Sequence, residues 1–140
     1  MPPRRGRRFA LIALIMFGFA GLAPRHAQAA QPAEDFRIFF DFGSAELTAK
    51  ARELVKIVAQ ALPPSAWVTL IGHCEGAEPA PDRLSRARAE AVLAELRRAT
   101  LPANVTLDAV GAGANEPRFK AEPTARDPQS RYVGIVVEIP

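Results

Sequence analysis

Trp67-Val68-Thr69-Leu70-Ile71 is a β-rich run closed by Gly72, and it lies between two stretches whose apolar residues repeat at helical spacing. The composition and length of the run predict a strand. Immediately upstream, Ala51, Leu54, Val55, Val58 and Leu62 recur at i, i+3, i+4, i+7 and i+11, while Lys50, Arg52, Glu53 and Lys56 fall on other faces. That is one apolar stripe of an amphipathic helix. Thr48 supplies its N-cap and Pro63-Pro64 stops it. Immediately downstream, Gly76 to Pro81 contains two prolines and reads as a loop, and a second helix is predicted from about Asp82 to Ala99. Leu84, Ala89, Val92 and Leu96 form its expected core stripe, with Arg83, Arg86, Glu90 and Arg97 on the solvated side.

Beyond the helices lie three more strand signals. In Phe36 to Phe42 the residues Phe36, Ile38, Phe40 and Phe42 share one face at period two, and Gly43-Ser44 ends the run. Val105 to Gly111 is predicted as a third strand and the β-branched Tyr132 to Ile139 as a fourth. Ala112 to Gln129, between them, is irregular and rich in Pro, Gly and charge. The order is β-α-β-α-β-loop-β. Strand–helix–strand crossovers are right-handed almost without exception, which puts both helices on one side of the sheet. The expected fold is therefore α+β, a two-layer α/β sandwich with two helices on a four-stranded mixed sheet.

The first 29 residues do not read as part of this layer pair. Arg4, Arg5, Arg7 and Arg8 precede an almost wholly apolar run of 15 residues, Phe9 to Ala23, followed by Pro24-Arg25-His26 and Ala27-Gln28-Ala29. A charged start, a short apolar run and a small-x-small end are the parts of a cleavable secretory signal. The apolar run falls short of the roughly 20 residues that span a bilayer. The organisation expected is a signal peptide at 1–29, a short linker at 30–35 and one domain at 36–140, with a retained anchor as the alternative. Sec and twin-arginine export are both compatible with Arg7-Arg8. Removing 1–29 takes away five of the 18 basic residues and none of the 15 acidic ones, so the remainder carries a net charge of about −2. The basic character of the whole chain thus belongs to the leader, and it marks no nucleic-acid surface on the domain. The roughly 110 remaining residues suffice for a core without metals or disulfides, and Cys74, the sole cysteine, has no partner for an internal disulfide.

His73, Cys74 and Glu75 stand together at the end of the central strand. Adjacent strand residues point to opposite faces, so His73 and Cys74 are poorly placed as a base–nucleophile pair. No Cys or His partner lies at a usual ligand spacing, so no metal site is expected. No P-loop, dinucleotide fingerprint or nucleophile motif is present. No cofactor and no catalytic residue are expected.

Four stretches, in order, resemble the OmpA-like family shared by outer-membrane porin tails, peptidoglycan-associated lipoproteins and flagellar stator subunits. They are Phe40-Asp41-Phe42-Gly43-Ser44-Ala45-Glu46-Leu47-Thr48, Val68-Thr69-Leu70-Ile71-Gly72-His73-Cys74-Glu75, Leu84-Ser85-Arg86-Ala87-Arg88-Ala89-Glu90-Ala91-Val92 and Ser130-Arg131-Tyr132-Val133. Val110-Gly111-Ala112-Gly113 with Pro117 is similar to the family's Gly-Tyr-Gly turn. The resemblance implies a non-catalytic, periplasmic, wall-associated module that binds the diaminopimelate end of peptidoglycan stem peptides. That end carries an ammonium and a carboxylate on one carbon. By the resemblance Glu75 and Arg88 are the anionic and cationic poles of the site, with Asp41, His73, Cys74, Ser130 and Arg131 around them. Arginine suits the carboxylate because its planar fork binds bidentately. As a pair at a helix edge and a strand end, neither Glu75 nor Arg88 is expected to carry the fold. Periodicity alone offers another reading of Arg88: a stem laid on the core with its head in water.

The chain also departs from the family pattern. Glu75 stands for an Asp, Pro81 for an Asn, Ser130 for an Asn, Tyr132 for an Arg and Cys74 for a Thr, and the loop before Leu84 is shorter by about two residues. These departures support a second reading, a scaffold that contacts an envelope protein partner without binding the wall. A small enzyme using Cys74 is the third.

Overall fold

The computed structural model describes residues 34–114 and 126–140. The expected signal peptide, most of the linker and residues 115–125 of the irregular segment lie outside the described residues. The elements run β1 (Phe36–Phe39), α1 (Ala49–Ala61), β2 (Trp67–Gly72), α2 (Pro81–Arg98), β3 (Thr106–Gly111) and β4 (Tyr132–Glu138), with a 3-10 turn at Pro128–Ser130 leading into β4. The sheet order is β1-β4-β2-β3. β2 and β3 pair in parallel, and β4 lies antiparallel to both β1 and β2. This is the expected two-layer sandwich on a mixed sheet.

The alternation of each strand sets what faces the helices. Ile38, Val68, Leu70, Val133 and Ile135 are buried against Ala51, Val55, Val58 and Ala59 of α1 and Ala89, Val92 and Leu96 of α2. In α1 the Thr48 hydroxyl accepts from the Ala51 amide at 3.1 Å, the expected N-cap. Leu54 is 39% exposed, so its expected core place is corrected. The buried stripe runs instead through Ala51, Val55, Val58, Ala59 and, just past the helix, Leu62. The first strand is also shorter than its alternation suggests. It leaves the ladder after Phe39, Phe40 remains buried, and Phe42 is 40% exposed with the Arg126 guanidinium 4.6 Å over its ring.

The position of α2 has a specific cause. Gly72 and Gly111 are register partners on the face beneath its first turn. A Cβ on Gly72 would collide with the backbone carbonyl of Ser85, and one on Gly111 would come within 2.8 Å of the Arg86 amide nitrogen. The missing side chains let helix and sheet approach backbone to backbone. The Ser85 hydroxyl seals the contact, donating to the Asp82 carbonyl at 3.1 Å and accepting from the Gly113 amide at 3.0 Å. The buried stripe of α2 is accordingly Ser85, Arg88, Ala89, Val92, Glu95 and Leu96. Leu84, expected in that stripe, is only partly buried.

Candidate binding site

Arg88 is the largest fully buried side chain among the described residues, and its side chain is 0% exposed. The expectations that set it at the helix edge, flanking the stripe or as a snorkelling stem, are corrected. It sits three residues after Ser85 and one before Ala89, in the middle of the buried stripe. Its guanidinium makes a set of bonds that leaves no donor idle. Nε donates to the Ser44 carbonyl at 2.8 Å, one terminal nitrogen to the His73 carbonyl at 3.0 Å, and the other to the Asp41 carbonyl at 3.0 Å. The two remaining directions go to the carboxylate of Glu78, one bond at 2.7 Å and its twin shorter. A guanidinium has five N–H donors, and all five are used. The Phe40 ring lies 5.4 Å from its central carbon.

Glu78 comes from the loop between β2 and α2. Beside Arg88, its carboxylate accepts from the Gly43 amide at 2.9 Å and the Glu75 amide at 3.0 Å. Burial pushes this carboxyl up, but the hydrogen bonds from Arg88, Gly43 and Glu75, with the charge of Arg88, together hold it below its ordinary 4.5. The residue thus ties the turn after β1, the end of β2 and the middle of α2 to one point. Ala80, two residues on, is left-handed at φ 47° with no side-chain cap for α2. An alanine is strained there.

Glu75 does not pair with Arg88. One oxygen of its buried carboxylate accepts from the Asp127 amide at 2.8 Å and lies 3.4 Å from an Arg131 nitrogen. The other, Oε1, is buried and accepts no hydrogen bond among the described residues. Arg131 is steadied by a 3.0 Å bond from its Nε to the Phe40 carbonyl. The expected poles are therefore neighbours, each with an internal partner: Glu75 with Arg131, Arg88 with Glu78.

The other expected site residues divide. Asp41 contributes its carbonyl to Arg88, and the residue is exposed. Cys74 packs beside Arg88, whose terminal nitrogen lies 3.4 Å from its sulfur. Burial raises the thiol to about 12, against the opposing pull of the Arg88 charge, and so disfavours the thiolate. Ser130 acts at one remove, its hydroxyl donating at 2.8 Å to the carboxylate of Asp127. His73 is separated from the pocket by the sheet. Its ring stacks on Tyr132 at 4.4 Å and its Nε2 lies 3.1 Å from Glu34, on the face away from the helices. Only the His73 carbonyl reaches Arg88. The Glu34 carboxylate fits over Gly134, where a Cβ would collide with it.

Glu78 is the site residue that sequence reasoning missed. The one signal was an acid placed between Ala77 and Pro79 in a short loop. Nothing in its spacing says that the side chain turns inward.

The sequence matches the OmpA family over residues 39–131, from the last residue of β1 to the threshold of β4. The chain belongs to the OmpA family. An outer membrane protein of Gluconacetobacter diazotrophicus is 34% identical over 116 residues, covering 76% of this chain and 30% of that protein. The chain thus spans under a third of that relative's length. Among solved structures, the peptidoglycan-associated lipoprotein from Burkholderia pseudomallei superposes with a TM-score of 0.63 at 24% identity, covering 73% of this chain and 89% of that one. The C-terminal domain of Helicobacter pylori MotB also gives 0.63, at 16% identity, covering 79% and 86%. At these identities the two structures establish the OmpA-like fold.

Proposed function

We propose that this domain is a non-catalytic peptidoglycan-binding module of the bacterial envelope, and that its site takes the diaminopimelate end of stem peptides. The observation that carries the reading is Arg88. Three backbone carbonyls fix its guanidinium, and its outer edge grips a carboxylate bidentately. Such a fork is a ready carboxylate receptor. The Glu75 amide shares the Glu78 carboxylate with Arg88, and one oxygen of the buried Glu75 carboxylate has no donor among the described residues, the complement of an ammonium. A carboxylate and an ammonium on one carbon match this pair. Membership of the OmpA family, and the likeness to a peptidoglycan-associated lipoprotein, support the wall as the source of that group.

Co-sedimentation of the full chain with purified sacculi tests the reading. Retention on diaminopimelate-type sacculi, lost on lysine-type sacculi, is expected. Glu75→Asp, the family's residue, should hold them more tightly. A chain that ignores both kinds of sacculus, with Glu75→Asp no better, removes the wall-binding function. A second reading, a scaffold for an envelope protein, is favoured by one observation: all five Arg88 donors are already satisfied inside the domain.

A further inference from the structure

We infer that Glu78 is an internal competitor for the carboxylate seat on Arg88, and that the loop from Gly76 to Ala80 must swing out before a ligand can bind. The inference rests on the reading of Glu75 and Arg88 as an amino-acid-end site and adds how that site is controlled. Three observations carry it. The Glu78 side chain is 0% exposed and makes the paired contact that a ligand carboxylate would make. The same carboxylate collects the Gly43 and Glu75 amides, so the oxyanion is fully coordinated by groups from three elements. Glu75 Oε1 is buried with no hydrogen-bond donor among the described residues, so one oxygen of the anionic half of the site is left unsatisfied while the cationic half is filled. A structural ion pair alone accounts for the first two observations and leaves the third unexplained.

The means of release lies in the same loop. Ala80 is held at φ 47° between Pro79 and Pro81, a conformation that alanine disfavours and that a following proline disfavours further. Letting Glu78 go relaxes it. A carboxylate tethered by so short a loop competes at an effective concentration of at least the order of millimolar. A ligand sees only the open fraction of molecules, and its affinity falls by that fraction. Vacating the seat should therefore tighten binding of an amino-acid end by about ten-fold or more.

The test titrates the full chain, Glu78→Ala and Glu78→Ala/Glu75→Gln with sodium acetate and with meso-diaminopimelate. Binding is read from the arginine Nε–H resonances and from the shift in Tm at constant ionic strength. The wild type should respond weakly to either probe. Glu78→Ala should bind both, and meso-diaminopimelate about ten-fold or more tightly than acetate; Glu75→Gln should erase that preference. If Glu78→Ala does not fold without a carboxylate present, Glu78→Gln replaces it and should still bind meso-diaminopimelate more tightly than the wild type. Equal affinity of wild type and variant for meso-diaminopimelate overturns the inference. So does a variant that takes acetate and meso-diaminopimelate equally, since the pair is then a structural ion pair only. Gain on meso-diaminopimelate without retention of any variant on sacculi keeps the competitor and removes the wall as its ligand.

Discussion

Arg88→Ala is the most informative single change. It deletes a guanidinium whose side chain is 0% exposed and leaves the equally buried Glu78 carboxylate with two amide donors. Removing one partner of a buried pair costs about 3–5 kcal/mol, because the other charge stays desolvated. The carbonyls of Asp41, Ser44 and His73 lose a donor as well. Small domains have about 5–15 kcal/mol in total, so this variant sits near the edge of folding. Its Tm should fall by roughly 12–40 °C, at about 4–8 °C per kcal/mol for a domain of this size. The Arg88→Met/Glu78→Met double variant removes both charges and should lose less than the two single changes added together, a coupling of about 2 kcal/mol. Urea unfolding followed by far-ultraviolet circular dichroism measures all four corners of the cycle. A loss under about 1 kcal/mol for Arg88→Ala, the usual size of an exposed pair, would refute the buried clamp.

Three other outcomes are expected. The folded Glu78 carboxyl titrates below 4.5, so its contribution to stability is complete above that pH and is lost as the pH falls through the lowered folded value; the Tm advantage of wild type over Glu78→Gln should hold from pH 7 to about 5 and shrink toward pH 3, and an advantage unchanged at pH 3 contradicts this. Cys74, with its thiol raised to about 12, should resist iodoacetamide at pH 8 until the chain is denatured, and Cys74→Ser should stay within a few-fold of wild type on sacculi; fast labelling of the folded chain speaks against the assignment. We propose that export removes residues 1–29, so N-terminal sequencing of periplasmic protein should start at Ala30; a membrane-bound product starting at Met1 or Pro2 identifies an anchor instead.

Periodicity recovered the layers because each strand and helix faces the core on one side only. Phe36, Ile38 and Phe40, and Val55 and Val58, fall where the alternation and the stripe put them. Leu54 and Phe42 do not, because their side chains stand where the helix face and the chain itself turn away from the sheet. Motif resemblance located Arg88 and Glu75 but not their partners. The stripe expected from Leu84 leaves Arg88 at the helix edge, whereas the buried face starts at Ser85. That offset of one residue depends on how closely α2 approaches Gly72, a tertiary fact. Glu78 was out of reach for a similar reason, since a loop side chain has no period and turns inward only because Arg88, Gly43 and Glu75 meet there.

The bare floor under α2 has one more implication. Arg88 is a single turn beyond Ser85, the residue that rests on Gly72. The clearance at position 72 is therefore a height gauge for the guanidinium above the carbonyls of Asp41, Ser44 and His73. A methyl group inserted there acts as a wedge under the front of the helix, lifting the charge from its three anchors while every contacting residue keeps its identity. The seat of this guanidinium can in that way be tuned from below, through a position on the sheet.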